Sequence, residues 1–151
     1  MYYTLMDLLT KKAQLGLNAA LFIAYNASKE APISGATIAE HYNLSSRALE
    51  PILQTLGHAG LLQSIKGHSG GYYIKEPDKI SIKNIAQCFT CKPTSGNVAF
   101  SEFSSILKHS LEESQERFWD KLSKITIKDL YEESKKENIP RLSSKIITFE
   151  I

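Results

Sequence analysis

The chain has 151 residues, of which 42% are hydrophobic, and a formal net charge of +2. This length and composition predict one compact domain with a buried core plus an appendage. The small net charge neither demonstrates nor excludes nucleic-acid binding, so the placement of individual cations has to decide. The most apolar segment, residues 19–25, is too short to span a bilayer, and no signal peptide is visible. We therefore expect a cytoplasmic protein that binds no membrane and whose two cysteines are reduced.

Three helices are predicted in the first third of the chain. Thr10 is a suitable N-cap for a first helix that ends near Asn26, and Ser34 is a suitable N-cap for a short second helix. After a tight turn at residues 43–45, a third helix is predicted from Ser46 to His58, because its apolar residues follow helical spacing. These residues are Leu49, Ile52, Leu53 and Leu56. Two short helices joined by so tight a turn predict a helix-turn-helix.

A glycine-rich basic loop follows the third helix. Residues 62–65 and 72–74 are predicted as two short strands, and the glycines between them give the backbone the freedom to reverse. Lys66 and His68 then lie on a protruding tip. A hairpin behind a helix-turn-helix is typical of a winged helix-turn-helix. Its cationic tip can reach a phosphate backbone or a narrow minor groove.

Residues 67–71 of this loop also match the G-x-S-x-G nucleophile elbow of serine hydrolases. An elbow needs a strand before it and a helix after it, within a large parallel sheet. Here a strand is predicted after the motif, and the chain has no alternation of strands and helices from which such a sheet could form. We therefore expect no enzymatic activity.

The polar face of the third helix carries side chains suited to reading bases. They are Ser46, Arg47, Glu50 and Gln54. Arginine can pair with guanine, glutamate can accept from the cytosine amino group, and glutamine can pair with adenine. In a helix-turn-helix this helix enters the major groove. The alternative is an ordinary solvated helix face, which the wing beside it makes the weaker interpretation.

Several of these segments resemble one family. Residues 9–12 (Leu-Thr-Lys-Lys), 48–54 (Ala-Leu-Glu-Pro-Ile-Leu-Gln), 59–61 (Ala-Gly-Leu) and the wing residues 66–72 are similar, in order and spacing, to the Rrf2 (IscR/NsrR-type) family of bacterial transcription regulators. The resemblance covers about residues 9 to 130. It implies a mainly α fold with a small β-wing. In a regulator of this kind, we expect Lys11 and Lys12 at the beginning of the first helix to hold phosphates. Lys66 stands where the family usually has arginine. The positive charge is kept, but the planar guanidinium group with its paired donors is lost.

A long helix is predicted from about residue 100 to residue 123, after a loop at residues 90–97. Its apolar residues form a heptad-like seam of Phe103, Leu107, Leu111, Phe118 and Leu122. A small winged domain cannot bury so long a seam alone, so we expect a homodimer, as the resemblance also implies. The alternative is a monomeric helical hairpin with the tail. We therefore divide the chain into a winged helix-turn-helix DNA-binding domain (9–80), a dimerisation region with the long helix (81–136) and a C-terminal tail (137–151).

The two cysteines limit the cofactors that the chain can hold. The resemblance implies an iron–sulfur cluster in some members, which bind it through three widely spaced cysteines before the long helix. This chain has only Cys88 and Cys91, so we expect no cluster and no metal. A short helix with Ser81 as its N-cap is predicted to carry Cys88 on its apolar stripe, where a free cysteine is usually buried. A redox pair or a metal site completed by a second subunit stays open.

These observations predict a sequence-specific regulator of transcription that binds a double-stranded DNA operator as a homodimeric repressor. Lys66 and His68 would enter or line the minor groove. Two other functions remain open. The first is a redox or metal-sensing regulator that uses Cys88 and Cys91, and the second is a winged helix that serves only protein interactions.

Overall fold

The computed structural model describes residues 5–90 and 103–142. Its first long helix, α1 (Lys11–Asn26), lies at the centre of the fold. The Thr10 hydroxyl caps α1 by accepting a hydrogen bond from the Ala13 N–H at 3.1 Å. Ile23 and the alanines at 19 and 20 are almost completely buried. The predicted N-cap and the predicted end of this helix are both confirmed.

Helices α2 (Gly35–His41) and α3 (Ser46–His58) form the predicted helix-turn-helix. Hydroxyls of serine cap both helices, and the turn between them places Asn43 in the left-handed region at φ 52°. The apolar stripe of α3 is buried against α1 and α2, as its spacing predicts. It consists of Leu49, Ile52, Leu53 and Leu56.

The wing consists of the antiparallel strands β1 (Gln63–Ile65) and β2 (Gly71–Tyr73). Strand β1 begins one residue later than predicted, and β2 both begins and ends one residue earlier. Ile33, ahead of α2, pairs with Tyr72 through two backbone hydrogen bonds of 2.7 and 3.1 Å. This bridge fixes the wing to the beginning of the helix-turn-helix.

Three further helices follow the wing: α4 (Ile82–Gln87), α5 (Phe103–Ser123) and α6 (Ile127–Lys136). Ser81 caps α4 as predicted, whereas α6 was not predicted at all. In the capping box of α6 the Thr126 backbone N–H and hydroxyl both donate to the Asp129 carboxylate, which holds the pKa of Asp129 below its ordinary value. The predicted loop at residues 90–97 and the residues before Phe103 lie almost entirely outside the described part of the chain.

The core continues from the winged domain into the later helices. Ile85 of α4 and Ile127 of α6 are completely buried in the same cluster as the residues of α1 and α3. The Tyr25 hydroxyl donates to the Ile139 carbonyl at 2.8 Å, and the Leu142 N–H donates to the Asn26 side chain at 3.0 Å. No helix within the described ranges is long and apolar enough to span a membrane.

Candidate nucleic-acid interface

The outer face of α3 is polar and open to solvent. The four side chains predicted to read bases are all exposed there: Ser46, Arg47, Glu50 and Gln54. The Gln54 amide donates to the Glu50 carboxylate across one turn at 3.4 Å. A hydrogen bond this long is weak, so replacing it by a bond to another partner costs little free energy. Because the opposite face of α3 is fixed in the core, this polar face has a defined orientation.

The tip of the wing is cationic and exposed. Lys66 and His68 lie in the turn between β1 and β2, where Gly67 has φ +116°, a backbone conformation that other residues rarely adopt. Gly71 lies so close to Ile33 that an added Cβ would come within 2.4 Å of its backbone. Glycine at these positions therefore allows both the reversal of the chain and the attachment of the wing.

The wing and α3 share one surface through Tyr72. The Tyr72 ring lines a cleft of about 290 Å³ together with Ser46 and Glu50 of α3 and Gly35 of α2. This contact places the wing beside the N-terminal half of α3. Ser69 of the G-x-S-x-G match lies in the same hairpin turn, with strand β2 after it, so the context of a nucleophile elbow is missing.

A groove lies between the N-terminus of α1 and the side of α3 that faces away from the wing. Lys11 and Lys12, both exposed in the first turn of α1, line this groove of about 880 Å³ with Arg47 and Pro51 of α3. Residues 88–90, after α4, form the remaining wall. Three cations that were predicted separately are thus brought to one groove, whereas Lys66 and His68 lie apart from it on the wing.

Among the described residues, no acid forms an ion pair with these cations. The ion pairs seen among residues 5–90 and 103–142 join residues from Glu76 to Lys136, away from these cations. The described part of the chain therefore places no ion pair on Lys11, Lys12, Arg47 or Lys66, and no carboxylate lines the groove. Unpaired cations on one surface attract a polyanion at little cost in desolvation or broken contacts.

The predicted seam of α5 divides into two halves. Leu107 and Leu111 are 61% and 65% exposed, whereas Phe118 and Leu122 are half-buried. The latter two line an apolar cavity of about 270 Å³ against Leu17 and other residues of α1. The side chain of Phe103 lies outside the described part of the chain. The N-terminal half of the seam thus remains open in a single subunit.

Cys88 lies at the C-terminal end of α4, half-buried rather than in the core as its place on the apolar stripe suggested. Its thiol donates to the Asn84 carbonyl at 3.2 Å, and burial raises its pKa, which disfavours the reactive thiolate. Cys91 lies outside the described residues. Among residues 5–90 and 103–142 no three His, Cys, Asp or Glu side chains lie close enough to hold a metal ion. With two cysteines in the whole chain, one subunit does not fit a three-cysteine cluster.

The family model described as "Rrf2: Iron-dependent Transcriptional regulator" matches residues 9–133. The chain belongs to the Rrf2 family. This assignment confirms the resemblance and the winged-helix fold that were expected from the sequence.

Relatives of this Rrf2 chain are named as transcriptional regulators. It is 36% identical over 75 residues to the regulator IscR of Aliivibrio salmonicida, which covers 49% of this chain and 44% of that protein. It is 37% identical over 78 residues to CymR of Bacillus subtilis, which covers 51% and 56%. To NsrR of Bacillus licheniformis it is 27% identical over 135 residues, which covers 81% and 90%. The chain thus spans about half the length of the first two relatives.

Solved structures of Rrf2 relatives share the fold over most of the chain. IscR from T. potens has a TM-score of 0.69 at 25% identity, with 91% of this chain and 95% of that chain covered. CymR of B. subtilis, whose structure is titled that of a global cysteine regulator, has a TM-score of 0.62 at 27% identity, with 87% and 98% covered. Most of the chain therefore has the fold of these regulators.

Proposed function

We propose that this protein is a homodimeric, sequence-specific DNA-binding regulator of transcription that represses the genes it controls. The observation that carries the proposal is the exposed polar face of α3, which the wing flanks on one side and the N-terminus of α1 on the other. On and beside that face, base-reading side chains and cations without described ion pairs surround a helix of the right size for the major groove.

In this proposal α3 reads the base edges. Arg47 can donate two hydrogen bonds to guanine, and Glu50 can accept from the amino group of cytosine. Ser46 and Gln54, on the same face, add contacts that depend on the base opposite them. Glu50 releases its long bond with Gln54 on binding, because the bases offer shorter hydrogen bonds.

The flanking cations hold the duplex in register. Lys11 and Lys12 at the beginning of α1 would contact phosphates beside the groove that α3 occupies. Lys66 and His68 at the tip of the wing would reach the next minor groove, which attracts cations where it is narrow. Phosphate contacts fix the position of α3 and contribute affinity that depends on salt concentration.

We propose that residues 9–80 are the DNA-binding unit and that residues 81–136 form the dimer interface. The exposed half of the α5 seam, Leu107 and Leu111, supports this division, since one subunit leaves it unburied. A twofold dimer reads a pseudo-palindromic operator, with half-site centres about 34–36 Å apart or a multiple of that distance. A dimer seated in the major groove excludes other proteins from the same DNA, which would repress transcription. As a regulator of the Rrf2 family, the protein would act in the cytoplasm of a bacterium.

We propose that DNA binding requires no cofactor. The half-buried, hydrogen-bonded Cys88 and the small number of cysteines do not provide the donor set of a three-cysteine cluster. A sensor that uses Cys88 and Cys91 is the competing function. A visible absorption spectrum and an iron assay of anaerobically purified protein distinguish the two, because a cluster absorbs visible light and contains iron.

Selection of genomic DNA fragments on the purified wild-type protein, followed by footprinting, tests the proposed function. We expect a pseudo-palindromic footprint with protected major grooves one helical turn apart, or a multiple of a turn. A folded protein that enriches no fragment and binds no random duplex at low salt would refute DNA binding. That result would favour a winged helix that serves only protein interactions.

A further inference from the structure

The segment after α4 packs an aromatic ring against α1. Phe89, two residues beyond the last residue of α4, lies against Gly16 in the second turn of α1. A Cβ built on Gly16 would lie 2.4 Å from Phe89 Cε2 and 3.0 Å from Cζ. A position without a side chain is therefore needed for the ring to lie where it does.

Thr10 joins the same segment to the first turn of α1. Its hydroxyl accepts from the Ala13 N–H at 3.1 Å, which caps the helix, and donates to the Phe89 carbonyl at 3.2 Å. The next two residues are Lys11 and Lys12. The two cations are thus the first side chains after a cap that is bonded to Phe89.

Phe89 also forms part of the wall of the 880 Å³ groove, in which Lys11 and Lys12 of α1 and Arg47 of α3 lie. The segment after α4 is therefore in contact with both elements that carry these cations. A displacement of the Phe89 ring would move the N-terminus of α1 relative to α3, since the ring and the carbonyl of this one residue hold α1 at Gly16 and at Thr10.

We infer that Phe89 is a positioning residue for DNA binding, which holds Lys11 and Lys12 in register with the recognition helix. This inference rests on the proposed function, since it assigns a role in a contact with DNA. Phe89 itself touches no DNA. It acts through the lysines, so its effect on DNA affinity depends on their presence.

The structure offers a matched pair of substitutions for the test. Gly16→Ala places a methyl group in the space that the Phe89 ring occupies. Gly57→Ala in α3 places the same methyl group where nothing lies within 4 Å. Phe89→Leu removes the ring atoms that the new methyl group would meet. Operator affinity and its salt dependence are measured for each variant on a selected genomic fragment, with thermal unfolding as the check on folding.

We expect Gly16→Ala to weaken operator binding by about tenfold or more and to lower the salt slope by about 3–4, the value for four lost phosphate contacts in a dimer. Gly57→Ala should bind like wild type. Gly16→Ala combined with Phe89→Leu should recover most of the affinity. In a Lys11→Gln/Lys12→Gln background, Gly16→Ala should cause little further loss, because interacting positions are not additive.

Three results would overturn the inference. They are a Gly16→Ala variant that folds and binds DNA like wild type, a double variant that binds no better than Gly16→Ala, and a loss that is undiminished in the lysine-free background. Should Gly16→Ala fail to fold, Phe89→Leu alone is measured in the wild-type and the Lys11→Gln/Lys12→Gln backgrounds. It leaves a gap against Gly16 that the added methyl group fills in the double variant, so binding should weaken in the first background only. If wild-type protein itself binds no DNA, the proposed function fails instead, which keeps the two failures distinct.

Discussion

Replacing Leu107 and Leu111 by Asp should separate the dimer into monomers. The two side chains lie one turn apart on α5 and are 61% and 65% exposed in a single subunit. Complete burial of a leucine contributes about 1.5–3 kcal/mol, so covering the exposed part contributes about 1–2 kcal/mol for each side chain. A twofold interface contains each leucine twice, which gives about 4–8 kcal/mol. Loss of that free energy raises the dimer Kd by about three to six orders of magnitude.

Sedimentation velocity at micromolar concentration measures this change. The control is Ser105→Asp/His109→Asp, which places the same charges with the same spacing on the opposite, exposed face of α5. We expect a monomer for the leucine variant, a dimer for the control, and native circular dichroism for both. Operator binding should collapse only in the leucine variant, since both half-sites must be engaged together. A leucine variant that sediments like wild type, or a control that dissociates equally, would refute the assigned interface.

Three further predictions concern the base-reading face, the cysteine and a helix cap. Arg47→Ala or Glu50→Ala should each change the preferred base at one or two positions of a half-site by about 1–3 kcal/mol in competition binding, whereas Lys66→Ala should weaken all sequences alike and flatten the salt slope. Cys88→Ser should cost less than about 1 kcal/mol in urea unfolding, because the serine hydroxyl can donate to the same helix carbonyl as the thiol; a larger loss would mean a tightly packed thiol. Asp129→Ala should be less stable than wild type at neutral pH, and the difference should vanish as the pH falls through the lowered pKa of Asp129; a difference that persists in acid would exclude the carboxylate as its source.

The elements near the N-terminus could be predicted from the sequence because their signals are local. A capping hydroxyl begins each of the first three helices, and the apolar spacing of α3 matches the face that is buried. Helix α6 also carries such signals in its capping box and in the spacing of Ile127, Leu130 and Ser134. No helix was predicted there, although its many charged residues lie on the outer face of an amphipathic helix.

The site could be predicted in part. The side chains expected to meet DNA are exposed on α3, the wing and the beginning of α1, and how they act on DNA remains a proposal. The contact between Phe89 and Gly16 could not be foreseen, because the residues are distant in the chain and a helical glycine gives no sign of what covers it. The half-exposed position of Cys88 was missed for a related reason, since helical spacing does not reveal where a short helix ends.

The salt dependence of duplex binding by the wild-type protein tests the proposed DNA interface most directly. Fluorescence anisotropy with a labelled operator fragment, from about 50 to about 200 mM salt, gives the number of phosphates contacted. With Lys11, Lys12 and Lys66 contributing from each subunit, we predict that the logarithm of the binding constant falls linearly with the logarithm of the salt concentration, with a slope of about −5. Binding that does not change with salt, or a folded dimer that binds no duplex at the lowest salt, would contradict the interface.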